Sequence, residues 1–159
     1  MYNRLIDNIK RKRWIMRIKY IWLVVAIIWC IAIFMATASP QATGSNTQSI
    51  LMDWFNLSKE QSESINYFFR KSVHLGSFGL LSFLLYFAFD AKRPLLAWIL
   101  TTIYAGTDEF HQSFVPNRTA SFTDVIIDSV GAVIGLAIAI VCMKIYQIRK
   151  RKRVTSSFY

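Results

Sequence analysis

Four continuous apolar runs dominate this chain and limit what it can fold into. They cover Ile18–Ala38, Val73–Phe89, Pro94–Thr107 with an extension to Phe110, and Val125–Met143. Each is close to the roughly 20 residues that carry a helix across a bilayer. A water-soluble domain of 159 residues, 54% of them hydrophobic, has no use for four such runs. They show no period-two alternation, and only helices or closed barrels satisfy backbone groups in lipid, so strands are not expected. The expected fold is an all-α membrane protein, a four-transmembrane-helix bundle with spans at about 20–38, 72–89, 94–110 and 123–143. The third span is the weakest, because Asp108 and Glu109 sit at its end.

A net charge of +10 invites a nucleic-acid reading, which the placement of the charge rejects. Of 19 Lys and Arg residues, seven precede the first span, two (Lys92, Arg93) lie between spans two and three, and six fall from Lys144 to Arg153. Lys59, Arg70, Lys71 and Arg118 are the remaining four, in the alternate segments. This is the positive-inside pattern. It assigns the basic N-terminus (1–19), the Asp90–Pro94 turn and the basic tail (144–159) to the cytoplasm, and the 39–72 and 111–121 segments to the outside. The tail then anchors topology and attracts anionic lipid.

Cys30 and Cys142 both fall within spans at different depths, so free thiols without a redox role are expected. Ala36-Thr37-Ala38 before Ser39 resembles a signal cleavage site, but the apolar stretch Ile21–Met35 is long for a signal core. An uncleaved anchor is the expectation. Small polar residues and turn formers from Ser39 to Ser49 read as an external loop. Ser58-Lys59-Glu60-Gln61 predicts a helix start, with Ser58 as cap and Gln61 reaching back. That short amphipathic helix, with Ile65, Phe68 and Phe69, either lies on the outer surface or leads straight into the second span. Pro94 suits the first turn of the third helix, and Ser121 with Asp124 marks the start of the fourth.

This topology gathers the polar residues by depth. Lys71 and His74 open the second helix, Tyr104, Asp108, Glu109, His111 and Gln112 close the third, and Asp124 and Asp128 open the fourth. All three sets meet at the outer leaflet, and ionisable groups at membrane depth are costly enough to mark a site. Tyr104, Asp108 and Gln112 recur every four residues and form one stripe. Asp124, Asp128, Gly131 and Gly135 share roughly one face, the two glycines permitting close helix approach, and Gly76 and Gly79 could do the same on the second helix. The carboxylates therefore point into the bundle.

Each residue also has a bland reading. Taken singly, His74 reads as a hydrogen-bonded packing histidine, Lys71 as an interfacial anchor snorkelling to headgroups, and Asp124 as a helix cap. Arg118 could bind lipid phosphate or pair with Asp108 or Asp124. Asp128 is too deep to cap and needs an interior partner such as His74 or Lys71. Taken together the set suits general acid–base work by imidazole and carboxylate, with Arg118, Lys71 and His111 available to hold a phosphate. The His and carboxylate residues could also bind a divalent metal, although no HExxH or close-spaced His pair is present, so metal ligands are not assigned and cofactors stay open. There is no GxSxG and no Walker loop, and an outer-leaflet position makes ATP chemistry a poor fit.

At these residues the sequence resembles the VanZ family of small bacterial membrane proteins. The pattern is Lys71-x-x-His74, then Tyr104-Ala105-x-x-Asp108-Glu109-x-His111-Gln112-x-Phe114-x-Pro116-x-Arg118, then Ser121-x-x-Asp124-x-x-x-Asp128-x-x-Gly131-x-x-x-Gly135. Ser39-Pro40-Gln41 is similar to the family's Ser-x-Gln loop, with Pro40 a departure, and many members carry Asn at Asp128. The resemblance implies a multi-pass protein of the bacterial cytoplasmic membrane, linked to reduced susceptibility to teicoplanin-type glycopeptides. Three readings follow. The chain acts on a membrane lipid or lipid-linked envelope precursor, with Asp108, Glu109, His111, His74 and Asp124 as catalytic candidates and Lys71, Arg118, Gln112, Tyr104, Asp128 and Gln41 as substrate contacts. Alternatively it binds a headgroup or the antibiotic without chemistry, or the polar set is an ion-pair knot that holds the bundle. Nothing in the sequence sets the oligomeric state.

Overall fold

The computed structural model describes residues 2–39, 44–116 and 120–156, and among them every regular element is a helix. In chain order these are α1 (Tyr2–Ala38), α2 (Gly44–Phe55), α3 (Lys59–Ala88), α4 (Pro94–Gln112) and α5 (Phe122–Ser156). Three stretches, Met16–Ala38, Lys59–Ala88 and Phe122–Arg153, are long and apolar enough to cross a membrane. α4 has 19 residues, which reach about 28 Å. Its last turns carry Asp108, Glu109, His111 and Gln112, which dilute its apolar character.

Local sequence accounts for most boundaries. Ser58 Oγ accepts the Gln61 N–H at 3.3 Å and Gln61 Oε1 accepts the Ser58 N–H at 3.1 Å, a reciprocal cap that starts α3. No breaker follows, so the aromatic segment runs straight into the apolar stretch as one 30-residue helix. Asp90 and Ala91 take positive φ (57° and 55°), and the Ala91 N–H donates back to Tyr86 O at 2.9 Å, turning the chain into α4. Pro94 sits in the first turn of α4, where its missing N–H costs nothing.

The segment after α1 departs from expectation. Much of the stretch that composition marks as loop is helix α2, closed by Asn56 in the left-handed region (φ 51°). Tertiary contact overrides local propensity there. Gln48 Nε2 donates to Ser62 Oγ (3.2 Å) and to Lys59 O (3.4 Å), docking α2 against the start of α3. The additional short helix after the first run is thus 44–55, ahead of Ser58 rather than behind it. Trp54 at its end is 81% exposed.

α3 is the hub and packs against each of the other four helices, most extensively α5. Glycines set that approach. A Cβ on Gly131 would lie 2.9 Å from the Leu75 carbonyl carbon, one on Gly79 would lie 2.9 Å from Gly131 O, and one on Gly135 would run into Gly79 O. Gly76, by contrast, faces open space. The inside combines apolar residues such as Phe78, Leu81 and Leu84 with small and polar ones, among them Ala97, Ala105, Ala132, Ser82 and Thr101. Large apolar side chains such as Ile28, Met35, Ile103, Val133 and Ile138 face out. Large apolar side chains on the outside as well as in the core, with small residues at the helix contacts, suit a bundle surrounded by hydrocarbon. Interior donors are used: Trp29 Nε1–H donates to Ser77 O (3.0 Å) and Trp98 Nε1–H to Ser129 Oγ (3.1 Å).

Candidate functional site

Four helices bring polar groups to one end of the bundle. The C-terminal turns of α1 and α4 meet the middle of α3 and the first turns of α5, and the polar groups there sort into three sets.

Asp108 faces α1. Its Oδ1 accepts from Thr37 Oγ1–H and its Oδ2 accepts from Gln112 Nε2–H, both at 2.7 Å. Both oxygens are satisfied and the residue is 2% exposed. The Tyr104 hydroxyl, one turn earlier on the same stripe, donates to Cys30 O at 2.6 Å and also binds α4 to α1.

Glu109 points elsewhere, because one residue turns a helix by about 100°. It faces α3 and α5, where its Oε2 accepts the Ser121 N–H at 3.0 Å while its buried Oε1 has no hydrogen-bond partner. Asp128 of α5 is completely buried. His74 Nδ1 lies 3.4 Å from both of its oxygens. Only Oδ2 meets it in hydrogen-bonding geometry, and Oδ1 is left without a hydrogen bond. The His74 ring is held against Phe78, with centroids 6.3 Å apart. One ligand-type atom each from His74, Glu109 and Asp128 lies within 4.8 Å of the others, the grouping among the described residues that could hold a metal ion.

The third set lies one turn nearer the helix end. Lys71 and Asp124 form an ion pair, and the Lys71 ammonium also sits 5.3 Å from the Tyr67 ring centroid. The interior partner that Asp128 requires is therefore His74, while Lys71 goes to Asp124. His111 lies apart from this set, its ring tilted 37° against that of Phe34 with centroids 4.3 Å apart, and its buried Nδ1 has no hydrogen bond. Gln41 and Arg118 fall outside the described residues.

Thr37 escaped sequence reasoning, and Ser121, expected at this end of the bundle, takes a role that was not. Thr37 is a lone hydroxyl in an apolar run, within a tripeptide whose only visible signal is its likeness to a cleavage site. Ser121 reads as a helix cap, yet its backbone N–H orients Glu109. No periodicity reports a backbone donor.

A helical bundle with an apolar outer surface, and with buried carboxylates, an imidazole and an ammonium gathered at one end, defines a membrane-type helical protein with a built polar centre. The family profile described as VanZ/LLP1 matches residues 19–143, and the chain belongs to that family. The match spans α1 to α5 and contains every residue of the three sets. No match was found among curated proteins or among solved structures.

Proposed function

We propose that this chain is a four-span protein of the bacterial cytoplasmic membrane, with both termini cytoplasmic and the His74–Glu109–Asp128 end facing outward. There it acts on a membrane lipid or lipid-linked envelope precursor, and by doing so lowers susceptibility to teicoplanin-type glycopeptides. The distribution of Lys and Arg supports the orientation.

The observation that carries this reading is the pair of unsatisfied oxygens, Glu109 Oε1 and Asp128 Oδ1, buried beside one imidazole. Buried polar atoms are nearly always hydrogen-bonded, and the exceptions call for a functional explanation. Acceptors left open beside a histidine suit proton transfer to or from a bound molecule. Lys71 and Asp124, already paired with each other at the rim, offer a headgroup polar contacts there but no net charge. An apolar groove of about 400 Å³ between α3 and α5 is lined by Leu75, Gly76, Gly79, Leu80, Gly131 and Ile134, and Leu75 follows His74 in the chain. A lipid tail lying in that groove would hold its headgroup near the polar set.

The test compares cells carrying wild-type protein or Glu109→Gln at equal membrane abundance. Extracted lipids and cell-wall precursors are profiled by mass spectrometry alongside teicoplanin susceptibility. The variant should return both readouts to the level of cells lacking the protein. Readouts that match wild type would sink the proposal. Substrate that co-purifies unchanged with wild-type protein, with no product in the cells, would make it a binder rather than an enzyme.

A further inference from the structure

We infer that His74, Glu109 and Asp128 form a divalent-cation centre that takes Mn²⁺ or Zn²⁺. The inference deepens the reading of this cluster as a working site and names what completes it. Three separate helices, α3, α4 and α5, each supply one ligand atom, and the three atoms lie within 4.8 Å of one another. Ligands about 2.1 Å from a common ion lie about 3.0–3.4 Å apart, so side-chain adjustments of about 1 Å close the set.

Burial and charge point the same way. Glu109 is 4% exposed and Asp128 0%, and each keeps one buried oxygen without a hydrogen bond. Two buried carboxylates side by side repel each other and lose their hydration. Lys71, one turn away, is committed to Asp124. A dication held by two carboxylates and a neutral imidazole makes the set electrically neutral and uses both open oxygens. The Ser121 N–H fixes Glu109 Oε2 and leaves Oε1 for the ion, the outer-shell support that metal carboxylates usually have. One imidazole with two carboxylates is a nitrogen and oxygen donor set suited to Mn²⁺ or Zn²⁺. Three protein ligands leave coordination positions for water or a substrate oxygen, so the ion would act as a Lewis acid toward a phosphate or carbonyl.

The test uses the full-length, tag-free chain in lipid nanodiscs, stripped with EDTA and titrated with MnCl₂ or ZnCl₂. Wild type should take up one ion per chain by calorimetry and elemental analysis, and Tm should rise by at least about 5 °C at 100 times Kd. Glu109→Gln and Asp128→Asn should each weaken binding by at least about 100-fold, since even outer-shell losses cost 10–100-fold. Asp90→Asn, at the Lys19–Asp90 pair on the opposite end, should bind as wild type does. Bound Mn²⁺ should show a nitrogen coupling from His74 by pulsed electron paramagnetic resonance, which decides the matter in wild type if the carboxylate variants do not fold. Absence of uptake by stripped wild type, or uptake that both carboxylate variants retain in full, overturns the proposal. Neither readout needs a substrate, so a failure here is separate from a failure of the envelope assay.

Discussion

Asp108 and Glu109 are neighbours in the chain and occupy two unlike pockets. Asp108 has a hydroxyl and an amide donor, one for each oxygen, from α1 and from its own helix. Glu109 has one backbone donor and a bare oxygen, turned toward a histidine and a second carboxylate from two other helices. The first pocket is closed and carries the geometry of a lock between α1 and α4. The second is open in its bonding, as a site must be if a ligand is to add to it. Buried charge alone therefore does not mark function. What separates the two pockets is whether the surrounding donors complete the carboxylate.

The largest effect expected from testing this difference comes from Gly135→Ala. Its methyl group would meet Gly79 O, part of the α3 backbone that no rotamer can move aside. α5 must shift away from α3, at a cost of about 3 kcal/mol. That shift separates His74 from Asp128 while sparing the Thr37–Asp108 bond, which joins α1 to α4. A fall in Tm with loss of envelope phenotype should follow, and a crosslink between positions 37 and 108 should still form. Loss of that crosslink would show that the two pockets are not independent.

Thr37→Val should have a smaller effect of the opposite kind. It leaves the buried Asp108 Oδ1 without its donor, costs about 1–3 kcal/mol in thermal or denaturant unfolding, and leaves the phenotype intact. A Thr37→Val protein that keeps its stability and loses the phenotype would reverse the roles given to the pockets. Gly76→Ala should have the smallest effect. No atom lies within 4 Å of the added methyl group, so the helix propensity of alanine should raise stability by about 0.5–1 kcal/mol in the same unfolding measurement.

Much of the site was legible because helical spacing and topology are one-dimensional properties. Four apolar runs with charge between them indicate which helix ends coincide, and this placed Lys71, His74, Asp108, Glu109, Asp124 and Asp128 at a common level. Ser58 with Gln61 and Pro94 marked their helix starts from local chemistry alone. The first half of α2 was not legible, because Gly44–Ser49 is polar and turn-prone and its Gln48 meets α3 only in the folded chain. Thr37 was silent because one hydroxyl in an apolar run ordinarily bonds its own backbone; Ile33 O lies 3.0 Å from Oγ1, and the single O–H is drawn instead to the shorter contact with Asp108. Gly76 and Gly79 look alike in sequence, and only one meets α5.

The amino-acid sequence by itself determined the helical class, the end of the bundle at which the polar residues gather, and the family pattern that they carry. Only the tertiary structure decided which carboxylate is completed and which is left open. A helix turns about 100° per residue, so adjacent positions face different neighbours. The identity of those neighbours is a property of packing, which spacing along one chain does not encode.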